Sequence, residues 1–138
     1  MDVKIKTEVI EKIIEESKKH DKLEFGGWVI VDNEEIVDVV FDIKSQSYGD
    51  VILDCKEILK LDKSVRDKCA GWFHRHPICG LSGTDINTMN QLTEFWGRCY
   101  TLVLQGNGDI SLHVTDKEEG LIHESWITPE FIDEYKNG

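Results

Sequence analysis

Two histidines one residue apart and closed by a proline, His74-Arg75-His76-Pro77, restrict this chain more than any other feature. In extended backbone, side chains at i and i+2 leave the same face, so both imidazoles can reach one point. Pro77 has no N–H to give a ladder and ends the strand. The apolar run Ala70 to Phe73 enters the pair, and Trp72 shares a strand face with His74. Trp72 fits either a place beside the histidines or simple core burial. Past the proline, a glycine-containing loop reaches Ser82-Gly83-Thr84-Asp85. Asp85 then falls in or just before the first turn of a helix, where the helix dipole favours a carboxylate that can be aimed back at the strand end. Two histidines and one aspartate leave a fourth position open, as catalytic zinc requires. A His-x-His pair also arises by chance on strand surfaces, so the pair alone does not make a metal site.

Around this block the pattern is mixed. Val9, Ile10, Ile13 and Ile14 recur at helical spacing, with Glu8 and Glu11 early and Lys18, Lys19 and His20 late, as the dipole prefers. Leu23 to Val31 reads as a strand that begins with Glu24, Gly26 and Gly27. Asp32 to Glu35 turns the chain into a second β-rich run, Ile36 to Phe41, and a polar loop leads to a short strand, Val51 to Leu53. The spacing of Ile58, Leu59, Leu61 and Val65 predicts an amphipathic helix over 54–68. Ser82 or Thr84 can cap a helix carrying Ile86, Met89, Leu92 and Trp96. Tyr100 to Leu104 is a strand, Gly106-Asn107-Gly108 a hairpin signal, and Ile110, Leu112 and Val114 alternate with polar residues. A β-like segment, Leu121 to Ile127, precedes a tail with helical character. No linker or repeat divides residues 1–138, so one domain is expected. Without regular β-α-β alternation, the class is α+β or three-layer αβα around a largely antiparallel sheet.

Bulk properties narrow the function. Sixteen Lys and Arg against 27 Asp and Glu give a formal charge of -11, which argues against a protein held on nucleic acid by phosphate contacts. No apolar run approaches the roughly 20 residues of a membrane helix. The mixed-charge start lacks a secretory signal, so a cytoplasmic location is the default expectation. Cys55, Cys69, Cys79 and Cys99 show no Cys-x-x-Cys pairing and read as free thiols, with a disulfide at Cys79 left open. His20, His113 and His123 have no partners at ligand spacing and are expected to be exposed polar residues or helix-end charges.

The order of these motifs resembles the JAMM/MPN+ metallopeptidases of the Mov34/JAB type. Glu24-Phe25-Gly26-Gly27 matches that family's upstream Glu-x-x-Gly, His74-Arg75-His76-Pro77 its His-x-His-Pro, and Ser82 to Asp85 its Ser-x-x-Asp. The resemblance runs from the first helix to the 106–108 hairpin and implies a JAMM/cytidine-deaminase-like fold. It implies that His74, His76 and Asp85 bind Zn2+, that Glu24 is general base and then acid, and that Ser82 assists the oxyanion. A plain helix N-cap is an equal alternative for Ser82. Eight residues, 77 to 84, separate His76 from Asp85 where the family usually has ten. The shortening falls in the loop 77–81, because the Ser-to-Asp spacing is kept.

Family members cleave the bond after the C-terminal glycine of ubiquitin or of related β-grasp proteins, including small sulfur carriers. The resemblance therefore implies a partner with a Gly-Gly tail, and the minimal length implies a prokaryotic-like form. Two other readings stand beside it: a non-catalytic MPN-type scaffold that binds a protein, and a zinc hydrolase acting on another small peptide.

Overall fold

The computed structural model describes residues 2–76 and 80–129. A short strand β1 (Lys4–Ile5) leads into helix α1 (Thr7–Ser17) and the hairpin β2 (Gly26–Asp32) and β3 (Glu35–Phe41). An outlying pair follows, β4 (Ile43–Gln46) and β5 (Val51–Leu53), then the short helix α2 (Lys63–Arg66). Strand β6 (Cys69–Arg75) carries His74, and helix α3 (Gly83–Trp96) crosses to β7 (Arg98–Leu104). Strands β8 (Ile110–Asp116) and β9 (Gly120–Ile127) complete a meander. Among the described residues seven strands form one sheet in the order β1-β3-β2-β6-β7-β8-β9, while β4 and β5 pair separately. Pairing is antiparallel except at β1–β3 and β6–β7. The domain is thus the expected α+β sheet flanked by helices. Strand β1 was not legible, since two residues carry no period.

Strand alternation assigns each helix its face. Val29, Phe73, Leu102 and Leu112 pack with Val9, Ile13 and Ile14 of α1 in the larger apolar cluster. Their neighbours Trp28 and Trp72, directly paired across β2 and β6, face the other way and pack with Met89, Leu92 and Trp96 of α3. Burying a side chain of this size contributes roughly 1.5–3 kcal/mol, so the two clusters hold the helices on opposite faces. The β2–β3 turn places Asn33 and Glu34 at φ 51° and 62°, the left-handed pair that a two-residue hairpin needs.

The amphipathic helix expected over 54–68 is replaced by a 3-10 turn at Ile58–Lys60 and the four residues of α2. Leu61 and Asp62 between them are extended. The buried Asp42 carboxylate caps the 3-10 turn, taking the backbone N–H groups of Glu57 and Ile58 at 2.9 and 3.0 Å, and the run breaks after it at Leu61. Only Ile58 of the expected stripe is buried, whereas Leu59 and Val65 are exposed. Ile86, expected on the core face of α3, is also exposed. The helical reading of the tail concerns residues 130–138, outside those described.

Gly27 lets β2 lie against β3 at a point where a side chain has no room. A Cβ there would sit 2.0 Å from the Val40 carbonyl oxygen. Gly27→Ala should therefore lower the free energy of unfolding by about 1–3 kcal/mol, measured by urea denaturation. An unchanged midpoint would mean the strands separate there without strain.

Candidate metal centre

The β2–β6 register builds the site. Gly26 pairs with His74, and the antiparallel ladder extended by two residues sets Glu24 opposite His76. Past the ladder the Arg75 N–H still donates to the Phe25 carbonyl at 2.8 Å. Glu24 precedes β2 instead of lying in it. Its N–H bonds the Ser47 carbonyl at 2.8 Å, and its own carbonyl accepts from Gln46 Nε2 at 2.9 Å. The general-base candidate is therefore held by the β4–β5 arm on one side and the main sheet on the other.

Asp85 arrives from the start of α3. Ser82 is the N-cap, and its hydroxyl accepts from the Asp85 N–H at 3.1 Å while Asp85 Oδ2 accepts from the Ser82 N–H at 2.9 Å. This reciprocal capping box fixes the carboxylate at the helix end. Asp85 Oδ1 lies 3.1 Å from His74 Nε2, and Oδ2 lies 3.3 Å from His76 Nε2. One ligand atom from each of the three residues lies within 4.8 Å of the others, and all three residues are buried. Donors at ~2.0–2.1 Å around a tetrahedral zinc stand about 3.3 Å apart, which this spacing approaches.

His74 gives the test of fit. Both its ring nitrogens are buried without a hydrogen-bond partner among the described residues, since the Asp85 contact lacks hydrogen-bond geometry. Trp72 stacks flat on the ring, with centroids 4.7 Å apart and planes 6° from parallel, and donates its own N–H to Thr101 Oγ1 at 2.8 Å. Both expectations for Trp72 thus hold together: it is core, and it orients the histidine. Leaving buried nitrogens unsatisfied is costly, and a bound cation would satisfy one of them. The donors present fit a divalent metal.

Charge in the site is divided between two carboxyls. Burial would raise Asp85, but the adjacent His74 imidazole and the Ser82 groups prevail and hold it down at about 2. It is a carboxylate at every physiological pH. Burial dominates at Glu24, with Asp85 and Asp50 adding to it against His76, and its carboxyl rises to about 7. Both groups line a cleft of about 550 Å3 with His74, His76 and Ser82, so every expected site residue meets in one place. Asp50 and Thr88 also line it, and nothing in their polar sequence surroundings marked them.

Other expectations resolve differently. His113 is buried, not exposed, because β8 lies inside the sheet, and its Nε2 meets Ser111 Oγ at 3.2 Å. His20 is half-buried, bonded to Glu16 at 2.8 Å and stacked on Phe25. His123 is half-buried and meets Ser125 Oγ at 3.2 Å. Cys55, Cys69 and Cys99 are free, and burial pushes the Cys99 thiol up to about 12. Cys79 lies outside the described residues. No described helix is long and apolar enough to cross a membrane.

This architecture recurs among solved proteins. A JAB1/MPN domain protein from Archaeoglobus fulgidus matches with a TM-score of 0.52 at 15% identity, over 88% of this chain and 95% of that one. The fold is MPN-like. A Desulfitobacterium hafniense protein solved in solution is also similar, with a TM-score of 0.63 at 18% identity over 90% of each chain. No family model and no curated protein matches the sequence. At these identities the likeness is one of fold. Within this MPN-like frame the donor set lies where the chain leaves β6 and crosses through α3 to its parallel neighbour β7.

The raised Glu24 pKa has a sign that thermal unfolding can read. Between about pH 4.5 and 7 the folded state keeps a proton that the unfolded state has lost. Stability from this group is full below about 4.5 and is lost as pH rises through about 7. In chelator-treated protein, Glu24→Gln should melt above wild type at pH 8, with a smaller difference at pH 5. A difference that does not vary with pH would show that Glu24 titrates ordinarily.

Proposed function

We propose that this chain is a zinc-dependent peptidase or isopeptidase that cuts after the C-terminal Gly-Gly of a ubiquitin-like or sulfur-carrier protein. The observation that carries the proposal is geometric: the buried Glu24 carboxyl lines the same cleft as a buried His-His-Asp donor set. A general base works best when its pKa lies near the working pH, and ordinary surface glutamates do not reach it.

His74, His76 and Asp85 are the residues that would hold the ion. A zinc ion held there would supply an acidified water and polarise the scissile carbonyl. Glu24 takes a proton at its carboxylate and returns it to the departing amine, a shuttle that its near-neutral pKa suits. The Ser82 oxygen already accepts the Asp85 N–H, which leaves its own O–H to donate into the cleft toward a developing oxyanion. Capping and oxyanion support are thus compatible roles for one hydroxyl. Trp72 keeps the His74 ring in its plane.

The substrate class follows from the motif resemblance, and the cleft lining is compatible with it. The cleft is lined by Gly49, Asp50 and Val51 of the β4–β5 arm and by Thr84 and Thr88 of α3. A tail of two glycines, without side chains, can enter such a cleft extended and pair with an edge strand such as β5. The formal charge of -11 favours a basic or neutral partner over nucleic acid.

Metal content and cleavage test this together. Wild type and Glu24→Gln should each hold one zinc per chain after reconstitution, and His76→Ala should hold none. Cleavage of a ubiquitin-like protein carrying a Gly-Gly linkage should fall roughly 100-fold or more in Glu24→Gln. Wild type without zinc would end the proposal. Zinc without cleavage of any Gly-Gly substrate would retain the metal site and reject the substrate class.

A further inference from the structure

The chain leaving β7 bonds the backbone of His76 and of Gly80, and one buried amide there has no part in the chemistry described above. Gln105 is only 1% exposed, and all of its polar groups are engaged. Its N–H donates to the Asp109 carbonyl at 2.8 Å and its carbonyl accepts from Gly108 at 2.9 Å, which fixes its backbone in the β7–β8 turn. Its side-chain Nε2 donates to Ser111 Oγ at 2.7 Å, and its Oε1 accepts from the Gly80 N–H at 2.9 Å. Ser111 Oγ in turn lies 3.2 Å from His113 Nε2. With Nε2 committed to Ser111, the amide has one orientation, and its oxygen faces Gly80.

Gly80 stands two residues before the N-cap of α3, on the far side of the connection from His76. The near side is held by the adjacent residue of the same strand, since the His76 N–H donates to the Leu104 carbonyl at 2.8 Å. Leu104 and Gln105 therefore grip the chain at both flanks of the short link between the second histidine and the aspartate. Gly80 adopts φ 104°, which other residues rarely take, so the Gln105 bond holds it in a conformation with no helical or ladder partner of its own.

We propose that Gln105 is a positioning residue for the metal centre: its buried amide, braced by Ser111, sets where the chain re-enters after His76 and so where Ser82 and Asp85 stand relative to the two histidines. The inference rests on the zinc reading above. Partners of this outer kind typically alter metal affinity 10–100-fold when removed.

The test is zinc affinity, by competition with a chromophoric chelator, on folded full-length protein. Gln105→Met keeps the volume and removes both bonds, and is expected to weaken zinc roughly 10–100-fold. Gln105→Glu restores an acceptor for the Gly80 N–H and should recover most of that loss. Ser111→Ala, which unbraces the amide and leaves its oxygen in place, should fall between them. Ile13→Ala, in α1 on the opposite face of the sheet, serves as a destabilising control and should lower the melting temperature with zinc affinity unchanged. If Gln105→Met does not fold, the ranking of Gln105→Glu and Ser111→Ala against that control decides. Wild-type affinity in Gln105→Met, or zinc loss in Ile13→Ala that equals it, overturns the proposal. Wild type that holds no zinc removes the functional reading itself, and the two failures are thereby distinct.

Discussion

The structure depends on the antiparallel pairing of β2 with β6. Gly26 opposite His74 is a single register, and a slip of one residue would turn every side chain of one strand to the other face. The pairing of Trp28 with Trp72 would then be lost to the α3 side, along with the alignment that brings Glu24 beside His76. Gly26 makes the close approach to β6 possible and Gly27 that to β3, and the arm of β4 and β5 bonds the chain just before β2. Core and chemistry are therefore set by one interaction.

Electrostatics follow from that placement. Two carboxyls enter the same cleft and are driven apart in pKa by their neighbours. Asp85 has N–H donors and an imidazole against it, so its charge is stabilised despite burial. Glu24 offers only its backbone to the β4–β5 arm in the contacts described, while burial and two acidic neighbours act on its side chain. A division of this kind leaves one carboxyl charged and the other able to exchange a proton near neutral pH.

Much of this was legible in the chain. His74, His76 and Asp85 were identifiable because strand periodicity and helix capping are local rules, and both operate here. Glu24 needed a resemblance to single it out, since a lone glutamate before a strand has no local signature. What escaped was tertiary. The stripe at Ile58, Leu59 and Val65 has helical spacing, yet an extended Leu61–Asp62 divides it, leaving a 3-10 turn capped by Asp42 and four residues of α2. His113 looked like an outward strand position, but α3 and β9 leave little of β8 open to water. Gln105 follows a strand and precedes a glycine turn, where a polar residue usually faces solvent. Its burial depends on a bond to Gly80, 25 residues away, that no local pattern encodes.

The capping box at Ser82 and Asp85 ties the candidate ligand to helix nucleation. The first turn of a helix is its least favourable step, because several dihedrals are fixed for a single bond. Here the carboxylate that lowers that barrier is the one aimed at the histidines, through the same Oδ2. The aspartate does not wait for a cation to be ordered, since starting the helix has already ordered it. Most of the entropy that a flexible ligand would lose on coordination is therefore lost during folding, and the site is preorganised by the secondary structure that carries it.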